Sequence, residues 1–284
     1  MKEIIFSGGS HYGSRALISL QRKFDKIYLL QNNSEDILQL KRPQDEFVDN
    51  FLSVNCKYVF LGGHSEFISE ELLNEKIFIN VHGSLLPKYR GMHSTFWAIM
   101  NGEENLGITY HLVDKYMDSG DILAQYSFAY NNQSIHQINE IIDLFVEEYT
   151  GEVVTRYLEN EIVPIKQNID EVTFGCKRNL KDCEVNFNME NLYLYRFFRA
   201  LTPPYPLPRI VVKNKIYEVL DSYIIKKDFY SEIGRVLNID YNGVWIKTKE
   251  GFLIIKKVRN IDTGDIVELS DLVGIGYRFI TNTH

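Results

Sequence analysis

Asn80 and His82 are the side chains whose types and spacing most clearly suggest chemistry in this sequence. They stand two residues apart at the end of the apolar run 77–81, which is typical of a β-strand, so both should leave the same face. An amide can donate a hydrogen bond to a developing oxyanion, and an imidazole can exchange a proton near neutral pH. The pair suits attack by an amine on a carbonyl carbon.

A second polar turn follows about one strand and helix later and carries Asp114, Asp118, Gly120 and Asp121. A carboxylate such as Asp118 can hold an imidazole in place and favour its protonated form. The sequence has no GxSxG, no HExxH and no cysteine beside His82, so neither a covalent intermediate nor a metal is expected. The competing interpretation is structural, with His82 packed in the core and the aspartates forming turns.

Composition narrows the function classes. The chain has 284 residues, 45% of them hydrophobic, and a formal net charge of −7, which argues against nucleic acid or an anionic membrane as the main partner. No apolar run approaches the roughly 20 residues of a membrane span, and no leader pattern is seen, so a cytoplasmic protein is expected. Three cysteines without paired spacing are expected to be ordinary thiols. They are Cys56, Cys176 and Cys183.

Strand-like and helix-like segments alternate through the first 160 residues. This pattern predicts an α/β fold with an open, mainly parallel sheet covered by helices on both faces. Ligands of such sheets gather outside the carboxyl ends of strands, where the Gly8–Ser10 turn also falls. His111 lies inside a predicted strand and is expected to be packed rather than catalytic. Predicted strands are 2–8, 25–30, 57–61, 77–81, 108–113 and 122–129; predicted helices are 14–20, 44–54, 66–73, 92–101, 134–158 and 189–201.

Four prolines between 203 and 208 end the helical pattern, and short β-rich runs punctuated by glycine follow. We therefore predict an N-terminal catalytic domain with its linker at 1–203 and a small β-rich domain at 204–284. The spacing of the last runs favours a small barrel or compact sheet.

The run NVHGSLLPKYRG (80–91), followed by DSGD (118–121), closely resembles the signature of formyltransferases that use 10-formyltetrahydrofolate. Further likeness covers most of the chain, including 8–17, RALTPPYP (199–206) and the β-rich run 234–258. The resemblance implies a Rossmann-like catalytic domain, an OB-like barrel after it, and direct formyl transfer to a substrate amine without a covalent enzyme intermediate.

The resemblance also assigns roles. Asn80 would hydrogen-bond the oxyanion, His82 would handle the amine proton or protonate the intermediate, and Asp118 would hold His82 and favour its charged form. The donor would be 10-formyltetrahydrofolate, with no metal. Residues that match folate contacts in the family are His64, Ser65, Glu66, Ser84, Leu85, Leu86, Pro87, Asp114, Lys115, Tyr116 and Met117.

Three branches of the family differ in the amine that they formylate. The methionyl-tRNA branch usually carries a basic early loop, whereas residues 31–50 here are more acidic than basic. The purine-synthesis branch normally has one domain and leaves residues 205–284 unexplained. The amino-sugar branch, which serves bacterial surface polysaccharide (O-antigen) synthesis, fits both features. The expected substrate is therefore a nucleoside-diphosphate-linked amino sugar, with a dTDP-3-amino- or dTDP-4-amino-dideoxyhexose as the first candidate.

The expected contacts to that substrate are Ser10, His11, Tyr12, Lys88, Arg90 and Arg199. Met92 stands where sugar-specific members often have arginine. The alternatives are a methionyl-tRNA formyltransferase and a non-catalytic protein that binds folate or a nucleotide sugar. Because related enzymes are often dimers, a homodimer is among the expectations.

Overall fold

The computed structural model describes residues 2–64 and 66–280, with only the backbone for Ser10 and His11. The chain divides into two compact units. The first extends to Lys177, and the second comprises the residues from Arg178 onward together with Ile99–Glu103 and Asn132–His136. We keep residue 204 as the proposed start of the β-rich domain, whose first strand begins at Arg209.

A seven-stranded sheet organises the first unit, in the order β3-β2-β1-β4-β5-β7-β8. The five strands from β3 to β5 in this order are mutually parallel. β7 runs antiparallel to β5, and β8 runs antiparallel to β7. This confirms the predicted α/β fold with a mainly parallel sheet. The strands are β1 (Glu3–Gly8), β2 (Lys26–Leu30), β3 (Glu46–Val48), β4 (Tyr58–Gly62), β5 (Ile77–His82), β7 (Asn105–Leu112) and β8 (Ile122–Ala129); the short β6 (Arg90–Gly91) pairs with β9 (Phe174–Gly175).

β5 lies inside the sheet, between β4 and β7. Its register pairs Asn80 with Leu61 on one side and with His111 on the other, and it pairs His82 with Thr109. The strand is fixed by hydrogen bonds on both edges, so its side chains have little freedom to move relative to the sheet. The sheet therefore gives Asn80 and His82 a rigid base.

The helices are α1 (Ser10–Gln21), α2 (Glu35–Gln39), α3 (Glu70–Glu75), α4 (Ser94–Asn101), α5 (Ile135–Leu158) and α6 (Asn191–Ala200), with 3-10 turns at Ile169–Glu171, Leu180–Cys183 and Leu269–Asp271. α5 contacts both the sheet and α1. Thr150 hydrogen-bonds the Tyr110 hydroxyl at 2.8 Å, and the Gly151 amide donates to the Ser19 hydroxyl at 2.9 Å. The first of these buried polar contacts fixes the helix against β7 and the second fixes it against α1.

The helix predicted at 44–54 was wrong, and the short helix predicted at 66–73 begins only at Glu70. Asp45 is fully buried, where its carboxylate accepts from the Ile27 amide at 3.0 Å and from the Arg42 guanidinium. These contacts draw the following residues into β3, parallel to β2. Tertiary contacts thus override the local helical pattern.

A polar connector between α5 and β9 passes the outer strand β8. Ile165 and Ile122 exchange two backbone hydrogen bonds, of 2.7 and 2.8 Å, as an isolated antiparallel bridge. The neighbouring Lys166 and Asn168 are exposed, whereas Gln167 is half-buried. The connector therefore covers the beginning of β8 and directs one polar side chain inward.

The second unit is built on an antiparallel six-stranded sheet, as the β-rich runs predicted. Val244, Ile246, Leu253 and Ile255 lie on one face of β13 and β14 and are fully buried. Among the described residues, no helix has the length and apolar content that a bilayer span requires. The strands are β10 (Arg209–Val212), β11 (Lys215–Lys226), β12 (Val236–Asp240), β13 (Gly243–Thr248), β14 (Gly251–Asn260) and β15 (Ile266–Glu268).

Candidate active site

Asn80, His82 and Asp118 come together on one face of β5. His82 is buried, and its Nδ1 lies 3.5 Å from Oδ2 of Asp118. On the other side of the ring, His82 Nε2 lies 2.8 Å from the carbonyl oxygen of Tyr89. A carbonyl only accepts, so Nε2 carries the hydrogen and Nδ1 is the nitrogen that gains and loses a proton. A proton taken up at Nδ1 would meet the Asp118 carboxylate.

Asp118 lies in a turn that holds an unusual backbone conformation. Its φ of 50° is in the left-handed region, which is uncommon for a residue with a side chain. The Gly91 amide donates to Asp118 Oδ2 at 2.8 Å, which adds a second fixed contact to the same oxygen. A Cβ on Gly120 would lie 1.9 Å from the Leu112 carbonyl oxygen, so this turn can approach β7 only with glycine there.

His111 was expected to be packed, and its side chain is buried to 1% exposure, but it also contacts the site. Its Nδ1 donates to the Leu112 carbonyl at 2.7 Å, which leaves Nε2 as the acceptor of a hydrogen bond from Asn80 Nδ2 at 3.3 Å. Burial lowers the pKa of His111 to about 4, outweighing the raising influence of Asp118. At neutral pH this imidazole is uncharged and sets the orientation of the Asn80 amide.

The Asp118 carboxylate lies between two imidazoles, because Oδ1 is 3.6 Å from His111 Nε2 while Oδ2 faces His82. Because burial lowers the pKa of His111 to about 4, that imidazole stays neutral at pH 7, and Nδ1 of His82 is left as the proton acceptor beside the carboxylate. An amide nitrogen carries two hydrogens, so Asn80 keeps one donor beyond its bond to His111. The arrangement combines one oxyanion donor with one site that takes up a proton.

The loop SLLP (84–87) is fixed by Thr109, which is fully buried. The Thr109 hydroxyl donates to the Ser84 carbonyl at 2.6 Å, accepts from the Leu86 amide at 3.0 Å and accepts from Gln125 Nε2 at 2.9 Å. The Ser84 hydroxyl donates to the Lys88 carbonyl at 2.7 Å, and this hydrogen bond stabilises the loop. Leu86 and Pro87 are buried and Leu85 is half-buried.

His64 follows β4 and is held from one side. Its Nδ1 lies 3.0 Å from the Ser7 hydroxyl and its ring meets Phe51 edge-on, while its buried Nε2 has no hydrogen-bond partner among the described residues. Burial lowers the pKa of His64, which favours a neutral ring. Ser65 lies outside the described residues. Glu66 is exposed, as is the apolar Phe67 beside it.

The turn 114–117 combines a fixed base with exposed side chains. Asp114 Oδ1 accepts from the Tyr116 amide at 3.0 Å and from the Ser119 hydroxyl at 2.5 Å. Tyr116 and Met117 are 65% and 49% exposed, and Lys115 lies over the Tyr116 ring. These side chains offer a planar apolar surface close to Asp118, as a flat ring system requires.

The residues expected to contact the acceptor lie in different places. The Tyr12 hydroxyl is 3.7 Å from where a Cβ on Gly83 would stand, and Lys88 is half-buried in the loop that follows. Arg90 donates to Gln167 Oε1 through Nε and Nη2, at 3.0 and 2.8 Å. Arg199 belongs to α6, where its guanidinium donates to the Asn132 carbonyl. The side chains of Ser10 and His11 lie outside the described set.

Gln167 also contacts this site, although no motif or periodicity in the sequence singles it out. Its Nε2 donates to the carbonyl oxygens of Asp118 and Gly120, both at 2.8 Å. Nothing in the connector's composition distinguishes it from its polar neighbours. Only the folded chain brings it to the turn.

Comparison with known proteins identifies the family. The sequence model described as formyl transferase matches residues 21–142, and that of the formyl transferase C-terminal domain matches residues 178–273. A methionyl-tRNA formyltransferase of Mesoplasma florum is 30% identical over 257 residues, which cover 87% of this chain and 81% of the relative. The chain belongs to the formyltransferase family. It is an enzyme that transfers formyl groups from 10-formyltetrahydrofolate, as the resemblance implied.

Two solved structures share the fold. The sugar 3N-formyl transferase WlaRD, solved with dTDP and 5-N-formyl-THF, superposes with a TM-score of 0.65 at 20% identity and covers 93% of this chain and 99% of its own. HypX from Aquifex aeolicus, in complex with tetrahydrofolic acid, superposes with a TM-score of 0.62 at 18% identity. This chain is matched over 96% of its length but spans about half of HypX, 47%.

The residues of this formyltransferase fit a folate donor. The unpartnered Nε2 of His64 is a buried polar atom that a pterin nitrogen or amino group could satisfy, and Phe67 and Tyr116 supply exposed apolar surface. Across 2–64 and 66–280 no three His, Cys, Asp or Glu side chains cluster so as to hold a metal ion. The site offers fixed donors and acceptors for an organic co-substrate.

Proposed function

We propose that this formyltransferase acts on the amine of a nucleoside-diphosphate-linked amino-deoxy sugar, with a dTDP-linked sugar as the first candidate. The charge of the catalytic part of the chain carries the proposal. Residues 1–177 contain 15 Lys and Arg against 25 Asp and Glu, a formal charge of −10. Transfer RNA binds through many phosphate contacts, so an acidic surface would repel it, whereas a sugar nucleotide has only one diphosphate to neutralise.

The early segment where a tRNA-binding loop would be basic illustrates the same balance. Residues 31–50 contain two basic and five acidic side chains. Of the two bases, Arg42 is bound to the buried Asp45, and Lys41 lies over the Phe47 ring. Little positive charge is left to meet a phosphate backbone.

The proposed chemistry assigns one step to each of three side chains. The donor supplies the formyl carbon, and the amine attacks it as a free base. Asn80 Nδ2 donates to the formyl oxygen as this oxygen gains negative charge, His82 Nδ1 takes up the proton that the amine loses, and Asp118 stabilises the resulting imidazolium. As the oxyanion collapses, the bond between the formyl carbon and the folate nitrogen would break, and the His82 imidazolium would return the proton to that nitrogen, so that tetrahydrofolate leaves neutral and the enzyme is regenerated. Preorganised donors of this kind avoid the cost of reorienting solvent during reaction.

The SLLP loop, His64 and the turn 114–117 are proposed to hold the folate, and Tyr12, Lys88 and Arg90 the acceptor side. The Tyr12 hydroxyl lies 3.7 Å from the position that a Cβ on Gly83, the residue after His82, would take. Ser10, His11 and Arg199 remain proposed contacts on the strength of the family resemblance alone. Met92, which is exposed beside Gly91, replaces the arginine of many sugar-specific relatives.

A panel of acceptors tests the proposal. With 5-formyltetrahydrofolate present, thermal unfolding is followed while dTDP, UDP and GDP are added separately, because a ligand at 100 times its Kd stabilises by about 2.7 kcal/mol. We expect dTDP to raise Tm and the others to have little effect. Formyl transfer is then measured by mass spectrometry with dTDP-linked 3-amino and 4-amino sugars. Stabilisation by none of the three nucleotides, with no amino sugar formylated, would refute the assignment.

Methionyl-tRNA is the second candidate, because the Mesoplasma florum relative carries that name and residues 178–284 contain 16 Lys and Arg against 13 Asp and Glu. Formylation of charged initiator tRNA, with binding that weakens steeply between 50 and 200 mM salt as phosphate contacts require, would favour it. We expect no formylation of this tRNA at either salt concentration.

A further inference from the structure

The connector between α5 and β9 carries a side chain that joins three segments of the active site. Gln167 is half-buried in an otherwise exposed stretch, and its amide group makes four hydrogen bonds. Nε2 donates to the Asp118 and Gly120 carbonyls, and Oε1 accepts twice from Arg90. All four distances lie between 2.8 and 3.0 Å.

The orientation of this amide follows from its partners. A guanidinium can only donate and a backbone carbonyl can only accept, so the oxygen must face Arg90 and the nitrogen must face the turn. Both hydrogens of the nitrogen and both lone pairs of the oxygen are used. No other orientation of the side chain would satisfy all four bonds.

The turn that Gln167 holds has an intrinsic cost. Asp118 has a φ of 50°, and such left-handed positions persist only where surrounding contacts enforce them. Two neighbouring residues, Arg90 and Gly91, both help to hold this turn. The Arg90 side chain anchors Gln167, and the Gly91 amide donates to the Asp118 carboxylate at 2.8 Å. One dipeptide therefore fixes the backbone of Asp118 indirectly and its carboxylate directly.

We propose that Gln167 is a positioning residue for the formyl-transfer reaction, which holds the Asp118 turn so that the carboxylate stays opposite His82. It touches neither the donor nor the acceptor in this role. The proposal rests on the catalytic role proposed for Asp118 and holds for any acceptor amine. It also gives Arg90 a structural task in addition to the predicted contact with substrate.

The discriminating variant is Gln167→Glu, which changes one nitrogen to oxygen. It keeps the acceptor for Arg90 but loses both donors and sets a carboxylate oxygen against two carbonyls. Because misplacing a catalytic group by about 1 Å can cost 10²-fold, we expect kcat to fall about 10- to 100-fold. The Kd for 5-formyltetrahydrofolate should stay within about threefold. Lys166→Ala, on the exposed neighbour, is the matched control and should behave as wild type.

A double-mutant cycle with Asp118→Asn separates positioning from general damage. If Gln167 acts through Asp118, Gln167→Glu should reduce kcat by less than about twofold in the Asp118→Asn background. A full second loss in that background would overturn the proposal. Should Gln167→Glu fail to fold, Gln167→Met, which keeps the volume without the hydrogen bonds, takes its place in the cycle.

Hydrogen exchange at the Gly91 amide tests the same proposal without turnover, since this amide donates to Asp118 Oδ2. We expect exchange at least about tenfold faster in Gln167→Glu than in wild type or Lys166→Ala. If the Gly91 amide exchanged at the same rate in Gln167→Glu as in wild type, the positioning role would be refuted, whatever the activity of the variant. Faster exchange in a protein that formylates no amino sugar would leave positioning intact and refute only the proposed substrate.

Discussion

The neutral state of His111 predicts a specific loss of stability in acid. The pKa of this buried imidazole is about 4, against an ordinary value of about 6.5 in an unfolded chain. Because the folded value is the lower one, folding stability is complete above about pH 6.5 and is lost as pH falls toward 4, where the unfolded chain binds the proton first. Between pH 7.5 and pH 5.0 these two values correspond to a loss of about 2 kcal/mol.

The measurement compares wild type with His111→Gln, which removes the titrating group and keeps a polar side chain. Urea unfolding at pH 7.5 and pH 5.0 gives the free energy of unfolding at each pH. Both proteins carry Trp245→Phe, so that the fluorescence comes from Trp97 and reports the unfolding of the first unit, which contains His111. Titrating groups outside the site are shared and cancel, whereas Asp118 and His82 interact with His111, so the difference between the two proteins measures the effect of His111 together with these contacts.

We expect acidification to cost the His111 protein about 2 kcal/mol more than the His111→Gln protein. Equal losses in the two proteins would refute the assignment of a neutral, buried His111. A smaller loss in wild type than in the variant would mean that Asp118 holds His111 charged, which would also remove its role as the acceptor for Asn80.

Three shorter predictions concern the site and its support. Asn80→Ala should reduce kcat by about 10²- to 10³-fold, as removal of an oxyanion donor does, with KM little changed in steady-state assays. Gly120→Ala should lower the free energy of unfolding by at least about 2 kcal/mol, because its Cβ would overlap the Leu112 carbonyl; a Tm equal to wild type would contradict this. Thr109→Val should cost about 1–3 kcal/mol and weaken 5-formyltetrahydrofolate binding in calorimetry, since the Ser84 and Leu86 backbone groups lose their partner; unchanged affinity would show that the loop holds its shape without it.

The placement of Asn80 and His82 could be predicted from sequence because it depends on a local rule. Alternate residues of a strand share a face, and an apolar run ending in a polar pair marks where that face meets a pocket. Asp118 joins them in the structure, as the polar turn suggested. Their catalytic roles stay predictions, and Asn80→Ala and Asp118→Asn test two of them.

His111 and Gln167 could not be assigned from sequence because their roles arise only from folded contacts. His111 looks like any strand residue until the register places it opposite Asn80. Gln167 lies in a polar connector 49 residues beyond the carbonyl that it binds. The wrong prediction of a helix at 44–54 has the same physical origin. The hydrogen bonds of Asp45 to Ile27 and Arg42, rather than the local helical pattern, decide the structure there.

The bridge between Ile122 and Ile165 fixes the length of connector that is available to reach the active site. Two backbone hydrogen bonds lock Ile165 in register with the sheet, and Gln167 follows only two residues later. With so short a tether, one inserted residue would either open the bridge and leave the outer strand β8 uncovered or turn Gln167 away from Asp118. Surface connectors usually tolerate insertions and deletions. We expect this connector to tolerate them before Ile165 and after Gln167, but not between these two residues.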